Sequence, residues 1–210
     1  MTALELLHRY LDQCPLVAII RGVAPDEAGA IGDAVYGAGI RIIEVPLNSP
    51  DPLNSIERLA SKFGEEMLVG GGTVLRWSQI HEVKDAGGRI IVSPNTDAEV
   101  IKETMNAGLV SCPGYFTPSE AFAALDAGAT ALKLFPAEGA SPEVLKAQMA
   151  VIPRDVPMLI VGGVKPDNMR PWLDAGATGF GLGSGLYKPG QIAEDTRQKA
   201  ETFAAAVQRA

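Results

Sequence analysis

The chain has 210 residues, 47% of them hydrophobic, which suits a single α/β domain over residues 1–210 built on one sizeable core. A formal net charge of −7 excludes the basic face that nucleic-acid binding needs, although small anions require only a few local cations and backbone amides. Cys14, Cys112, His8 and His81 are too few and too scattered for a metal cluster, and the cysteines read as the reduced thiols of a cytoplasmic protein.

In chain order, "MTALELLHRYLDQ" predicts a helix over about residues 2–13. Its acidic residues, and the lack of a basic segment followed by an apolar one, argue against a signal peptide. No apolar run is long enough to span a membrane. Strands are then expected near 16–20, 41–45, 67–70, 90–92, 109–111, 130–134, 157–161 and 178–182. Between them lie amphipathic segments opening with Pro, Asp or Ser, as in "APDEA", "TPSEA", "SPEVL" and "KPDNM". An Ala-Gly pair recurs at Ala38-Gly39, Ala86-Gly87, Ala107-Gly108, Ala127-Gly128 and Ala175-Gly176, each before an apolar run, so the glycine reads as a left-handed helix stop. Eight such βα units predict a (β/α)8 TIM barrel with an extra N-terminal helix. An open doubly wound sheet is the alternative, but it does not require eight units and no G-x-G-x-x-G follows the first strand.

In a barrel the βα loops gather at the C-terminal ends of the strands. That rim would present Arg21, Glu44, Thr73, Pro94, Pro113 with Gly114, Gly162 with Gly163, and Gly183 with Ser184, and Lys133 would lie one layer below. Lys133 interrupts the apolar run of "ATALKLFPAE". A lysine of ordinary pKa about 10.4 costs roughly 4.6 kcal/mol to hold neutral at pH 7, and burial can depress the value by about 3–5 units. A neutral amine so prepared attacks a ketone to form an iminium, an electron sink for carbon–carbon cleavage. The alternative is a lysine that snorkels out or pairs with a buried acid.

Glu44 is likewise a charge inside an apolar strand, "RIIEVPL", and suits the proton shuttle that iminium chemistry needs. A salt bridge to Lys133 or Arg21 is the plainer reading. The glycines of "VGGGTVL" would let backbone amides approach an anion with Thr73 adding a hydroxyl, or would merely make a tight turn. "VGGVKPDNM" and "GLGSGLY" follow strands seven and eight, where barrels commonly hold a phosphate; tight strand-to-helix packing is the alternative.

The segments "EVPLNSP", "GGGTVL", "IVSPN", "CPG", "ALKLFPAE", "VGGV" and "GLGS", in this order and spacing, resemble the 2-keto-3-deoxy-6-phosphogluconate / 4-hydroxy-2-oxoglutarate aldolase family over about residues 14–205. The resemblance implies a class I aldolase that acts on a phosphorylated 2-keto-3-deoxy sugar acid and releases pyruvate and glyceraldehyde 3-phosphate through a Schiff base on Lys133, with Glu44 as general acid/base. It further implies that Thr73, Pro94 and Phe135 line a pyruvate pocket, that Arg21 binds an anionic end of the substrate, and that Gly162, Gly163, Gly183 and Ser184 cradle the phosphate. A homotrimer without cofactor or metal is implied as well.

Gluconate-type members usually carry arginine after E-V-x-L and threonine before Gly-Gly, where this chain has Asn48 and Val161. The sequence therefore resembles the galactonate-type branch, whose substrate differs at carbon 4, and Val161 becomes a candidate substrate contact. Other classes consistent with the loops are a phosphosugar isomerase, which needs no buried lysine, and a non-catalytic phosphosugar-binding barrel. A metal-dependent aldolase would want more histidines.

Overall fold

The computed structural model describes residues 1–209. Helix α1 (Ala3–Leu11) is opened by a capping box between Thr2 and Glu5 and precedes the first strand. The strands are β1 (Leu16–Ile19), β2 (Ile42–Pro46), β3 (Leu68–Gly72), β4 (Ile90–Val92), β5 (Val110–Cys112), β6 (Gly114–Tyr115), β7 (Leu132–Leu134), β8 (Met158–Val161) and β9 (Gly179–Leu182). All pair in parallel, in the order β5-β4-β3-β2-β1-β9-β8-β7-β6. The two ends of that order, β5 and β6, are consecutive in the chain across Pro113 alone. They are halves of one bent strand, so the sheet returns on itself through backbone and makes a (β/α)8 barrel with an extra N-terminal helix.

This corrects the expectation that Pro113 and Gly114 lie in a rim loop. Proline has no N–H to give the ladder, so the strand is interrupted for one residue. The Pro113 carbonyl still accepts from Lys133 N at 2.9 Å, and β6 pairs with β7 beyond it. A second difference concerns the glycines of "VGGGTVL". Gly70, Gly71 and Gly72 belong to β3, in register with Glu44, Val45 and Pro46 of β2, so their backbone serves the ladder instead of cradling an anion.

Helices α2 (Pro25–Gly37), α3 (Pro52–Phe63), α4 (Ser78–Asp85), α5 (Ala98–Asn106), α6 (Pro118–Asp126), α7 (Pro142–Met149), α8 (Met169–Asp174) and α9 (Ala193–Arg209) complete the outer layer. Five of them end on the Ala-Gly pairs. Alanine is the C-cap, and Gly39, Gly87, Gly108, Gly128 and Gly176 follow with φ between 75° and 111°.

The apolar residues divide into two bodies. Outward-facing strand residues such as Ile43, Val69, Ile91 and Ile160 pack against the helices. Val17, Ile42, Leu68, Ile90, Val110 and Leu159 fill the lower lumen, where Leu7, Tyr10 and Leu11 of α1 join them. Helix α1 therefore plugs the N-terminal end of the barrel. Its Tyr10 hydroxyl donates to Glu65 O at 2.7 Å and accepts from Arg89 at 3.1 Å, which anchors the plug.

Candidate active site

Above that apolar layer the inward positions change character. The register sets Glu44 of β2 level with Ile19 of β1 and Gly70 of β3, and Lys133 of β7 level with Gly114 of β6 and Leu159 of β8. In the barrel order β2 and β7 lie on opposite walls: β1, β9 and β8 separate them one way, and β3, β4 and the bent β5–β6 strand the other. The amine and the carboxyl therefore face each other across the lumen.

Both are deeply buried, Glu44 3% and Lys133 6% exposed. None of the ion pairs among the described residues joins them. Glu44 Oε2 is without a hydrogen-bond partner there. Gly72 makes room for the carboxyl, because a Cβ at that position would collide with it. The Lys133 Nζ stands 4.8 Å from the centre of the Phe135 ring.

The electrostatics follow from this placement. Burial raises the Glu44 carboxyl from its ordinary 4.5 to about 7, against the opposing pull of Lys133 and Arg21. Burial lowers the Lys133 ammonium, helped by Arg21 and opposed by Cys112 and Glu44. Each group is drawn toward its neutral form, which gives an amine able to attack carbon and a carboxyl able to give or take a proton near neutral pH. Cys112, register partner of Val92 and buried in the lumen, has its thiol pushed up to about 12 by burial. It is a packing residue of this layer that composition alone could not place.

Arg21 follows β1, and its guanidinium Nη1 donates to Asn48 Oδ1 and, at 3.3 Å, to Thr73 Oγ1. Thr73 sits at the mouth directly after β3 with φ of 54°, a left-handed conformation that costs a non-glycine residue of order 1 kcal/mol. Pro94 follows β4, half-buried. Asn48 was set aside in the sequence because it is not an arginine, yet it meets the cation directly.

Toward β8 and β9 a cavity of about 460 Å³ opens, walled by Phe135, Val161, Gly162, Gly163, Gly183 and Ser184, and reached by Arg21. Lys133, Glu44, Thr73 and Pro94 are not among the residues that wall it. Gly162 and Gly163 have φ of 111° and 65°, and Glu138 fills the space a side chain at either position would need. Asn168 holds this loop by accepting from Lys165 N and donating to Gly163 O, both at 2.9 Å. After β9 the chain makes a tight turn in which Leu186 N and Tyr187 N both donate to Gly183 O. Val161 pairs with Gly181 and its methyl carbons occupy the room a Cβ at 181 would take, so the valine faces inward. Glu138, Lys165 and Lys188 also line the cavity. They come from loop segments whose direction the sequence does not disclose. Among the described residues no group of three or more His, Cys, Asp and Glu side chains is arranged to hold a metal ion.

A barrel with a buried amine facing a buried carboxyl below an open, glycine-walled mouth is the arrangement of an enzyme that works on a carbonyl compound. Residues 7–202 match the aldolase family model described as KDPG and KHG aldolase, and the chain belongs to that family of carbon–carbon lyases. It is 46% identical over 202 residues, 96% of its length and 98% of the relative's, to the 2-dehydro-3-deoxy-6-phosphogalactonate aldolase of Escherichia coli (strain K12). A native KDPGal structure, 45% identical, superposes with a TM-score of 0.92 over 94% of this chain and 96% of that one. The KDPG aldolase of Legionella pneumophila, solved with pyruvate captured as a covalent carbinolamine, is 27% identical with a TM-score of 0.81 over 94% and 96% of the two chains. Among the described residues no helix is long and apolar enough to cross a membrane.

The raised Glu44 value has a consequence for stability. Between 4.5 and about 7 the folded state holds a proton that the unfolded state has lost, so stability falls as pH rises through this window. Glu44→Gln keeps the shape and removes the titration. It should unfold at the same denaturant concentration as the parent near pH 4 and be more stable by up to about 3 kcal/mol near pH 8. A stability difference independent of pH would show that Glu44 is not the group titrating.

Proposed function

We propose that the chain cleaves 2-dehydro-3-deoxy-6-phospho-D-galactonate to pyruvate and D-glyceraldehyde 3-phosphate, with Lys133 and Glu44 as its catalytic residues. The observation that carries this reading is the pair of oppositely placed, buried, unpaired titratable groups in the lumen. The neutral Lys133 amine adds to the C2 ketone, and loss of water gives an iminium. The C3–C4 bond then breaks: its electron pair flows into the iminium to make an enamine, the C4 hydroxyl proton passes to the Glu44 carboxylate, and the aldehyde leaves. Glu44 returns that proton to C3, and hydrolysis frees pyruvate and the amine.

Thr73, Pro94 and Phe135 line the pyruvate end in this reading, and Arg21 takes its carboxylate. Gly162, Gly163, Gly183 and Ser184 offer backbone amides and a hydroxyl to the phosphate at the far end of the cavity. The side-chain bonds of Arg21 support that polarity, since they run to Asn48 after β2 and Thr73 after β3 while the guanidinium still borders the cavity that the glycine loops wall. The pyruvate captured covalently in the Legionella relative supports the iminium route. The reaction needs no cofactor, residues 1–210 act as one catalytic unit, and the enzyme works in the cytoplasm.

Lys133→Ala should abolish both cleavage and borohydride trapping, and mass spectrometry of the reduced parent enzyme with pyruvate should place a pyruvyl adduct on Lys133. An adduct on Lys165 or any other lysine would overturn the assignment.

The galactonate preference rests on Val161, which faces inward beside Gly181 and has no hydroxyl to offer the substrate's carbon 4. Valine and threonine share a shape, so Val161→Thr alters hydrogen bonding with little change in packing. One net hydrogen bond of about 0.5–1.5 kcal/mol should improve kcat/KM for the gluconate epimer relative to the galactonate epimer by roughly two- to twelvefold. A ratio that stays put would move epimer discrimination elsewhere.

The homotrimer remains part of this proposal. Leu75, Trp77, Phe116 and Phe122 are exposed in the sector from β3 to α6, apolar surface of the kind that association covers. Light scattering coupled to gel filtration should give three chain masses, and a monomer at micromolar concentration would remove the trimer from the reading.

A further inference from the structure

Two consecutive residues of one βα loop grip two consecutive residues of its neighbour. After β2, Asn48 Oδ1 accepts from the Arg21 guanidinium, and Ser49 Oγ accepts from Gly22 N–H at 2.9 Å. Ser49 is buried, 8% exposed, and its own N–H donates to Pro46 O at 2.9 Å, so the grip is rooted in the end of the strand. The lower part of the same seam is a ladder bond, Ile20 N to Glu44 O at 3.1 Å. Arg21 is exposed and, as a long side chain, has no fixed position of its own. Among the described residues its Nη1 is held by two side-chain acceptors, Asn48 and Thr73, and Thr73 is itself in a left-handed backbone conformation. A neutral amide acceptor aligns the guanidinium without cancelling its charge, so donors remain for an anion.

We propose that Asn48 and Ser49 form a positioning clamp that holds Arg21 over the pyruvate end of the lumen, and that Asn48 sets the enzyme's preference for a 2-keto acid over a neutral carbonyl compound. Neither residue touches the reacting atoms; both act through Arg21. The inference rests on the Lys133 Schiff-base reading and adds to it the means by which the substrate carboxylate is recognised.

The test compares pyruvate with methyl pyruvate, which carries the same ketone and lacks the charge. Each is offered to the full-length enzyme with cyanoborohydride, and the rate of adduct formation on Lys133 is followed by mass spectrometry. In the parent, pyruvate should be favoured at subsaturating concentration. Asn48→Ala should lower the pyruvate-to-ester ratio about tenfold, the scale of one hydrogen bond to a charged group, with the ester rate nearly unchanged. Asn48→Asp should lower the ratio at least as far, because a carboxylate beside Arg21 neutralises the cation that the amide leaves free. A ratio unchanged in both variants overturns the clamp, and so does an equal loss of both rates, which marks Asn48 as merely structural. Absence of any pyruvate adduct on Lys133 in the parent sinks the Schiff-base reading itself, and is distinct from either result.

Discussion

Lys133 and Glu44 share a lumen but not an ion pair, and most of the barrel's upper half is arranged around that separation. Had the two side chains met, each would have stabilised the other's charge and neither would be chemically available at neutral pH. Placed on opposite walls, each feels the other's charge, but burial outweighs that attraction, and the carboxyl rises to about 7 while the ammonium falls. The cost is borne by the surroundings. Below them lies a fully apolar layer sealed by α1, and around the carboxyl a glycine is required because any side chain at position 72 would collide with it. An apolar plug at one end also leaves the C-terminal mouth as the way in for substrate and water.

The sequence exposes charged residues of this kind because they interrupt apolar strands, and it exposes the barrel because helix stops have a local cause. Ala-Gly before an apolar run ends a helix here because glycine takes the left-handed turn without penalty, so the five repeats marked five helix ends, whereas Ala28-Gly29 continues inside α2 with no positive φ. Lys133 and Glu44 were legible for a similar reason: a titratable side chain in a strand buried on both faces needs an explanation wherever the strand lies.

What stayed hidden depends on register and on contacts between loops. That Pro113 interrupts a strand instead of leaving it is decided by β7, whose Lys133 N finds the proline carbonyl. The three glycines after Val69 have the composition of an anion loop. Only their pairing with β2 shows that they create space for Glu44 and for the Ile90 backbone. Asn48 was invisible because a residue's meaning at a barrel mouth depends on the neighbouring arm. Its partner lies 27 residues earlier in the chain and beside it in space.

The mouth is built by two different strategies at its two ends. Toward β8 and β9 the walls carry the positive-φ Gly162 and Gly163 in a loop tied by Asn168, so the anion recognition proposed there would be rigid and tolerant of what lies beyond the anion. Toward β1, β2 and β3 the proposed recognition rests on one long side chain, Arg21, which Asn48 and Thr73 hold so that it would lose less freedom on binding. Backbone recognition suits a phosphate, whose three oxygens accept from many directions. A planar carboxylate next to the carbon that must meet Lys133 demands orientation, and a guanidinium held by a neutral amide supplies it. Val161 and Ile19 fill the space beside Gly181 with apolar carbon, so on the proposed reading this wall would discriminate between substrate hydroxyls by withholding a partner instead of offering one.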